Sequence, residues 1–211
     1  MAALLTILLA WARRIGTEAD LVRYDKGRRN ATRRHIIDVA SAQFRESGIA
    51  AVGLAGIMSE AGLTNGAFYT HFESKEDLVR AVLLDALGRR EQRYKDNLEN
   101  GVTLETTIRD YLSPGHRDRA ATGCAAAALA SEIARHPRAT RDAFTGKMSD
   151  IIALMAAQMP GDPAERRRRA ISVYATMVGA LQLSRAVNDR KLSQEILEDA
   201  VEAALTLANR P

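Results

Sequence analysis

A single cysteine, Cys124, stands among 211 residues. No intrachain disulfide framework is possible, and a reducing cytosol suits the chain. Aromatic residues make up only 5% and prolines number five, while hydrophobic residues reach 46%. That mix disfavours a β-rich fold and favours packed helices with a real core. No segment approaches the roughly 20 apolar residues of a membrane helix, so no membrane partner is expected. The first apolar run, Ala2 to Ala12, is too short to span a bilayer and lacks the basic leader of a secretion signal. It reads instead as a start codon set too far upstream or as an extra docking helix. Histidines 35, 71, 116 and 136 are scattered without metal spacing. Neither a nucleotide-binding glycine loop nor a nucleophile elbow is found, so no metal, cofactor or catalytic residue is expected, and the enzyme reading has little support.

What the chain has is unevenly placed charge. Lys plus Arg exceed Asp plus Glu by 30 to 26, a small excess. Between positions 23 and 34, however, six cations (Arg23, Lys26, Arg28, Arg29, Arg33, Arg34) face one anion, Asp25. From His35 to Leu87 the balance reverses, with Arg45, Lys75 and Arg80 against seven carboxylates. A basic arm therefore precedes a stretch that is not itself basic. It is either a solvated leader or a segment that follows phosphates or enters a minor groove.

Helical periodicity predicts a first helix over 30–47, capped by Asn30 or Thr32, with Ile36, Ala40 and Phe44 on one face and Gly48 ending it. Short helices follow at 54–61 and 64–72, with Gly62 at the turn between them. Ser74-Lys75-Glu76-Asp77 is a capping-box-like entry to a long helix running toward Asn100. Helices are then expected at 103–112, 123–135, 139–158 and 163–188, with a last one marked by Ser193. Ser113-Pro114-Gly115 is read as a stop, followed by loop through Thr122. The fold class is all-α, with an N-terminal extension over 1–22, a helix-turn-helix domain with its arm over 23–85, and a helical effector-binding and dimerisation domain over 86–211.

Gly48 to Arg80 carries most of the functional information. Ala61 permits close helix approach, and Gly62 can adopt the positive φ that the turn needs. Ile57, Leu63, Phe68 and Phe72 are the apolar posts. Asn65, Gly66, Tyr69 and Thr70 give the second helix a polar outer side. Asn65 can pair with adenine, Gly66 and Ala67 allow close approach, and Tyr69, Thr70 and His71 can donate to phosphates. Lys75 sits where free backbone N–H groups also attract an anion. Phe68 and Phe72 are expected in the core, and His71 either donates to DNA or supports the fold. A mere helix–glycine–helix corner would explain Gly62, but not the whole string.

These residues resemble the TetR/AcrR family of transcriptional regulators. The likeness lies in IMSEAGLTNGAFYTHFESKEDL, preceded by RRHIIDVASAQFRESG, and covers residues 30–85. It implies a homodimer with a three-helix DNA-binding part, a variable helical ligand-binding part and a near-palindromic double-stranded DNA operator. It also implies bases met by Asn65, Gly66 and Ala67, and a backbone held by Tyr69, Thr70, His71 and Lys75. At Gly53-Leu54-Ala55, where such regulators often carry hydroxyl or basic residues, this chain has none. Arg28, Arg29, Arg33 and Arg34 are the cations available to compensate. A helical ligand-binding or interaction module with an inactive reading head is the alternative.

In the second half, Ile171, Tyr174, Met177, Val178 and Leu181 stripe one helix, and Ile196, Leu197, Ala200, Val201, Ala204 and Leu205 the next. Pairing with a second copy would make a four-helix interface. Arg166 to Arg169 reads as a solvated surface. An unknown small-molecule effector would lie among Tyr94, Leu98, Ile108, Tyr111 and Met148, with Ile152, Met155, Tyr174 and Met177, although each of these also suits a core. Cys124, near Arg117 and Arg119 at a helix start that Thr122 could cap, is either a reactive sensor thiol or an inert buried one.

Overall fold

The computed structural model describes residues 18–209, with side chains described from Gly27 onward; the N-terminal apolar run lies outside them. Among the described residues there are ten helices and no strand. They are α1 (Glu18–Ser47), α2 (Leu54–Glu60), α3 (Asn65–Phe68), α4 (Lys75–Glu99) and α5 (Leu104–Tyr111), followed by α6 (Pro114–Arg117), α7 (Ala125–Ile133), α8 (Arg138–Ala156), α9 (Pro163–Ala186) and α10 (Arg190–Ala208).

α1 buries Ile36, Ile37, Ala40 and Phe44, the one-sided spacing expected of an amphipathic helix. It packs on α2 and α4, and α2 on α3, which makes the N-terminal unit. α4 continues into the second half, where it packs on α8; α8 packs on α9 and α9 on α10. A boundary drawn at 85/86 thus falls inside α4, and one hydrophobic cluster runs through both halves.

The halves are also tied by polar contacts. Glu132 at the end of α7 accepts from the backbone N–H of Ile49 (3.1 Å) and of Ala50 (2.9 Å), just after α1. Gly48 makes this approach possible, because its φ is +85° and a Cβ there would lie 2.7 Å from Glu132 Oε1. Arg45 donates to the Ala121 carbonyl at 2.5 Å. At the start of α4, the Glu76 carboxylate accepts from the Thr140 hydroxyl at 2.5 Å and meets His136 Nδ1 at 3.0 Å.

Several boundaries differ from the sequence expectation. α1 starts at Glu18, so Arg28 to Arg34 belong to a helix rather than an arm. Thr32 does not cap it; its hydroxyl donates to the Arg28 carbonyl at 3.0 Å, the back-bond of a helix interior. α3 has four residues because Thr70 and His71 donate to the i−3 carbonyls of Ala67 and Phe68 (3.2 and 2.9 Å), tightening the chain into a turn. Ser113-Pro114-Gly115 starts a helix instead of ending one: the Ser113 hydroxyl accepts from the His116 N–H at 3.2 Å, and Pro114 takes the first position, where no N–H is needed. α7 is entered through Cys124, with no side-chain cap from Thr122. α10 is capped by Asp189, which accepts from Lys191 and Leu192, while Ser193 is buried and donates to the Ser184 carbonyl at 2.6 Å. The capping expectation at α4 holds, since Ser74 Oγ accepts from the Asp77 N–H at 3.1 Å.

Candidate nucleic-acid interface

The turn between α2 and α3 is closed by Gly62, with φ at +68°, and by Leu63, whose N–H donates to the Met58 carbonyl at 2.9 Å. Ile57, Phe68 and Phe72 are buried, and the two phenyl rings stack with centroids 5.5 Å apart. With one face of α3 pinned, the other turns outward. Asn65, Gly66, Tyr69 and Thr70 are exposed, while Ala67 is half-buried. Tyr69 is 69% exposed, the largest value among the large apolar side chains of the described residues, and its ring meets the edge of Phe68 at 5.2 Å. A tyrosine left so open on a rigid support costs the fold water-exposed apolar area and presents a hydroxyl outward.

The α1 cations stand beside this surface. Arg29 donates through Nη2 to the Thr70 carbonyl at 2.7 Å, and the Arg33 guanidinium lies 4.6 Å from the Phe72 ring centroid. Arg28 is exposed on the same helix. Arg34 turns away and pairs with Asp85, which also binds Arg89 at 2.5 Å. The group predicted as a loose arm is therefore a helical brace along the end of α3. His71 is half-buried, and its Nδ1 has no hydrogen-bond partner among the described residues. Burial first, then the charges of Arg29 and Arg33, hold its pKa below the ordinary 6.5, so the ring is neutral at physiological pH. Lys75 donates through Nζ to the Ile49 carbonyl at 2.7 Å, tying α4 to the loop after α1. Gly53 caps α2 without a side-chain hydrogen bond, as the plain Gly53-Leu54-Ala55 run predicts.

The predicted effector residues do not form one cavity. Ile108, Met155 and Met177 are fully buried, Tyr94 and Tyr174 nearly so, Met148 and Ile152 pack part-buried on the core, and Leu98 is exposed. Bulky apolar side chains at these positions fill the helix interfaces. Of the nine, Tyr111 lines a cleft of about 580 Å³ between α4, α5 and the segment 113–123. The cleft's other walls are polar: Arg90, Arg93, Asn97, His116 and Arg119. The sequence did not point to these residues as a ligand site, although Arg90 and Arg93 are one turn apart on α4 and so share a face. Cys124 is 2% exposed, with Sγ 3.9 Å from the Tyr174 hydroxyl. Arg117, expected beside it, pairs instead with Asp118 at 2.7 Å and donates to Ser193 at 3.1 Å.

The dimer stripes need a similar correction. Tyr174, Met177, Leu181, Leu197, Ala200, Val201 and Ala204 are buried within this chain, because α9 and α10 turn those faces on the core. Ile171, Leu183 and Leu192 are the large apolar residues left outward on these two helices, at 44%, 59% and 44% exposure.

Fold and turn geometry together define an all-α protein with a helix-turn-helix near its N-terminus. Residues 36–82 match the family model described as bacterial regulatory proteins, tetR family. It is 31% identical over 88 residues to the HTH-type transcriptional repressor KstR2 of Rhodococcus jostii, covering 40% of this chain and 43% of that protein. It is 45% identical over 67 residues to the HTH-type transcriptional regulator TtgR of Pseudomonas putida, covering 32% of this chain and 31% of the relative. The matches thus span less than half the length of these curated relatives. The reduced form of Escherichia coli NemR shares the fold with a TM-score of 0.72 at 22% identity, over 86% of this chain and 98% of that one. Among the described residues, no helix is long and apolar enough to cross a membrane.

Proposed function

We propose that this chain is a cytoplasmic, homodimeric, ligand-responsive repressor that binds a near-palindromic operator through α3. The observation carrying this reading is the exposed face of Asn65, Gly66, Tyr69 and Thr70 on a helix whose opposite side is locked by Phe68 and Phe72. Asn65 and Gly66 meet base edges at close approach, and Tyr69 and Thr70 meet the phosphates that set register. Arg29 and Arg33 keep donors to spare beyond their internal contacts, and Arg28 lies on the same helix, so the group adds a sequence-independent, salt-sensitive attraction. His71, neutral and partly enclosed, supports the surface more than it reads DNA. Lys75 reaches a phosphate only by sharing its ammonium with Ile49. The outward Ile171, Leu183 and Leu192 supply the dimer contact, and two-fold symmetry then sets the half-site spacing. Effector binding lowers operator affinity by favouring a dimer with badly spaced reading helices.

A gel-shift titration with the DNA flanking the chain's own gene tests the reading. A nanomolar, palindrome-dependent shift that Tyr69→Ala weakens at least tenfold is expected, with Arg28→Ala/Arg29→Ala weakening all sequences alike and flattening the salt slope. Failure of wild-type protein to prefer its flanking DNA over random duplex would favour the interaction-module alternative.

A further inference from the structure

We infer that the 580 Å³ cleft binds an organic anion, with Arg90 as its principal contact. This rests on the ligand-responsive reading above and names the chemistry of its effector.

Three arginines and one histidine (Arg90, Arg93, Arg119, His116) line the cleft against one carboxylate, Asp110, which is exposed at its edge. Among the described residues, no carboxylate lies within ion-pair distance of Arg90, Arg93 or Arg119, whereas Arg34, Arg80 and Arg89 are each paired with an aspartate of α4. Arg90 is half-buried over the Tyr111 ring, 5.3 Å from its centroid. Among the described residues, its hydrogen-bond contact is with His116 Nε2, at 3.4 Å. The ring nitrogen on the other side, Nδ1, lies 2.7 Å from the Tyr111 carbonyl, which can only accept. Nδ1 therefore carries the proton, and Nε2 offers its lone pair to Arg90. The imidazole is neutral and contributes no charge; it orients the guanidinium and leaves the rest of that donor fork unclaimed.

Tyr111 gives the cleft its aromatic wall, while its hydroxyl is buried away from solvent beside Cys124 and Tyr174. Three guanidiniums without a counter-ion suit a carboxylate or a phosphate ester, whose paired oxygens match a donor fork.

The cleft is well placed to be felt by the DNA-binding half. Arg90, Arg93 and Gly123 also line a second hollow of about 350 Å³ that reaches Arg45 and Asp38 on α1. In the same segment as Arg119, Ala121 holds Arg45 through its carbonyl.

Calorimetric titration of the full-length dimer with sodium benzoate, decanoate and phenyl phosphate tests the inference, with benzamide and decanamide as neutral matches. At least one anion is expected to bind once per chain below 1 mM, with its amide at least tenfold weaker; the benzoate and phenyl phosphate arms separate carboxylate from phosphate. Arg90→Met should weaken binding tenfold or more. Arg93→Met, which removes a second cation of the cleft lining, should weaken it several-fold without lowering the melting temperature, and Arg109→Met on the outer face of α5 should change nothing. The inference is overturned if no anion binds below 1 mM, if the amides bind equally well, or if both cleft variants bind like wild type. Operator gel shifts on the same preparations keep the two readings apart: intact DNA binding without anion binding removes this inference alone.

Discussion

Substituting Gly48 by alanine tests how the two halves are joined. Two costs combine at this position. With φ at +85°, alanine is held in the left-handed region, at about 1–2 kcal/mol. About 0.4–1 kcal/mol returns through the less flexible unfolded chain. The new Cβ would also lie 2.7 Å from Glu132 Oε1. The carboxylate is the end of a flexible side chain and can swing aside, so steric overlap is not the main expense. Moving it breaks the acceptances from Ile49 and Ala50, two charge-assisted bonds at a partly exposed site, together about 2–3 kcal/mol. Gly48→Ala should therefore destabilise by about 3–4 kcal/mol. Gly62→Ala has a similar φ, +68°, and open space where its Cβ would go, so it should cost only about 1 kcal/mol. Urea unfolding of both variants, and of each in a Glu132→Ala background, isolates the second cost. In that background Gly48→Ala should fall to the level of Gly62→Ala, leaving a coupling of about 2 kcal/mol. Additivity within about 0.5 kcal/mol, or equal costs for the two glycines in wild type, would refute the latch.

Acid should also act on the fold through His116, whose pKa is pushed down to about 4 by burial first and then by the nearby Arg90, Arg185 and Arg119. The unfolded chain takes up that proton first, so the stability tied to the neutral ring is intact above about pH 6.5 and is lost as pH falls toward 4, a loss of about 1–2 kcal/mol after allowance for solvent screening. A His116→Asn variant should show a flatter decline between those pH values in urea midpoints; an unchanged slope would mean that the ring titrates freely. On the outward side of the last two helices, Leu183→Glu should dissociate the dimer in sedimentation velocity and weaken operator binding at least tenfold, whereas a persistent dimer would move the interface elsewhere.

The N-terminal domain was legible because local chemistry decides it. Gly62 at positive φ, the buried Phe68 and Phe72, the exposed Tyr69 and the Ser74 cap each follow from residue type and spacing, with little dependence on distant packing. The second half resisted for the converse reason. An apolar stripe such as Tyr174, Met177 and Leu181 looks the same whether it faces its own core or a second copy, and only the packed fold tells which. The cleft was overlooked for a related reason. The expected lining was apolar, yet such side chains fill the interfaces, and the space that remained is walled by Arg90, Arg93 and His116, drawn from α4 and the 113–123 segment. Read as a charged arm, Arg28 and Arg29 also misled, because Asn30 and Thr32 looked like caps, yet the Thr32 hydroxyl bonds back to the Arg28 carbonyl and α1 extends through them.

α4 is a single rod of 25 residues whose first turns wedge the reading unit and whose last turns wall the cleft. A rod shared in this way leaves no joint where one part could be lifted off and grafted elsewhere. A chimaera spliced at position 85 would sever Leu83 from Leu87 on one buried edge and leave sticky stumps on both fragments. Exchange of operator preference between such proteins should succeed only when the donor brings the rod entire, or when the swap is confined to the outward residues of the short helix it supports.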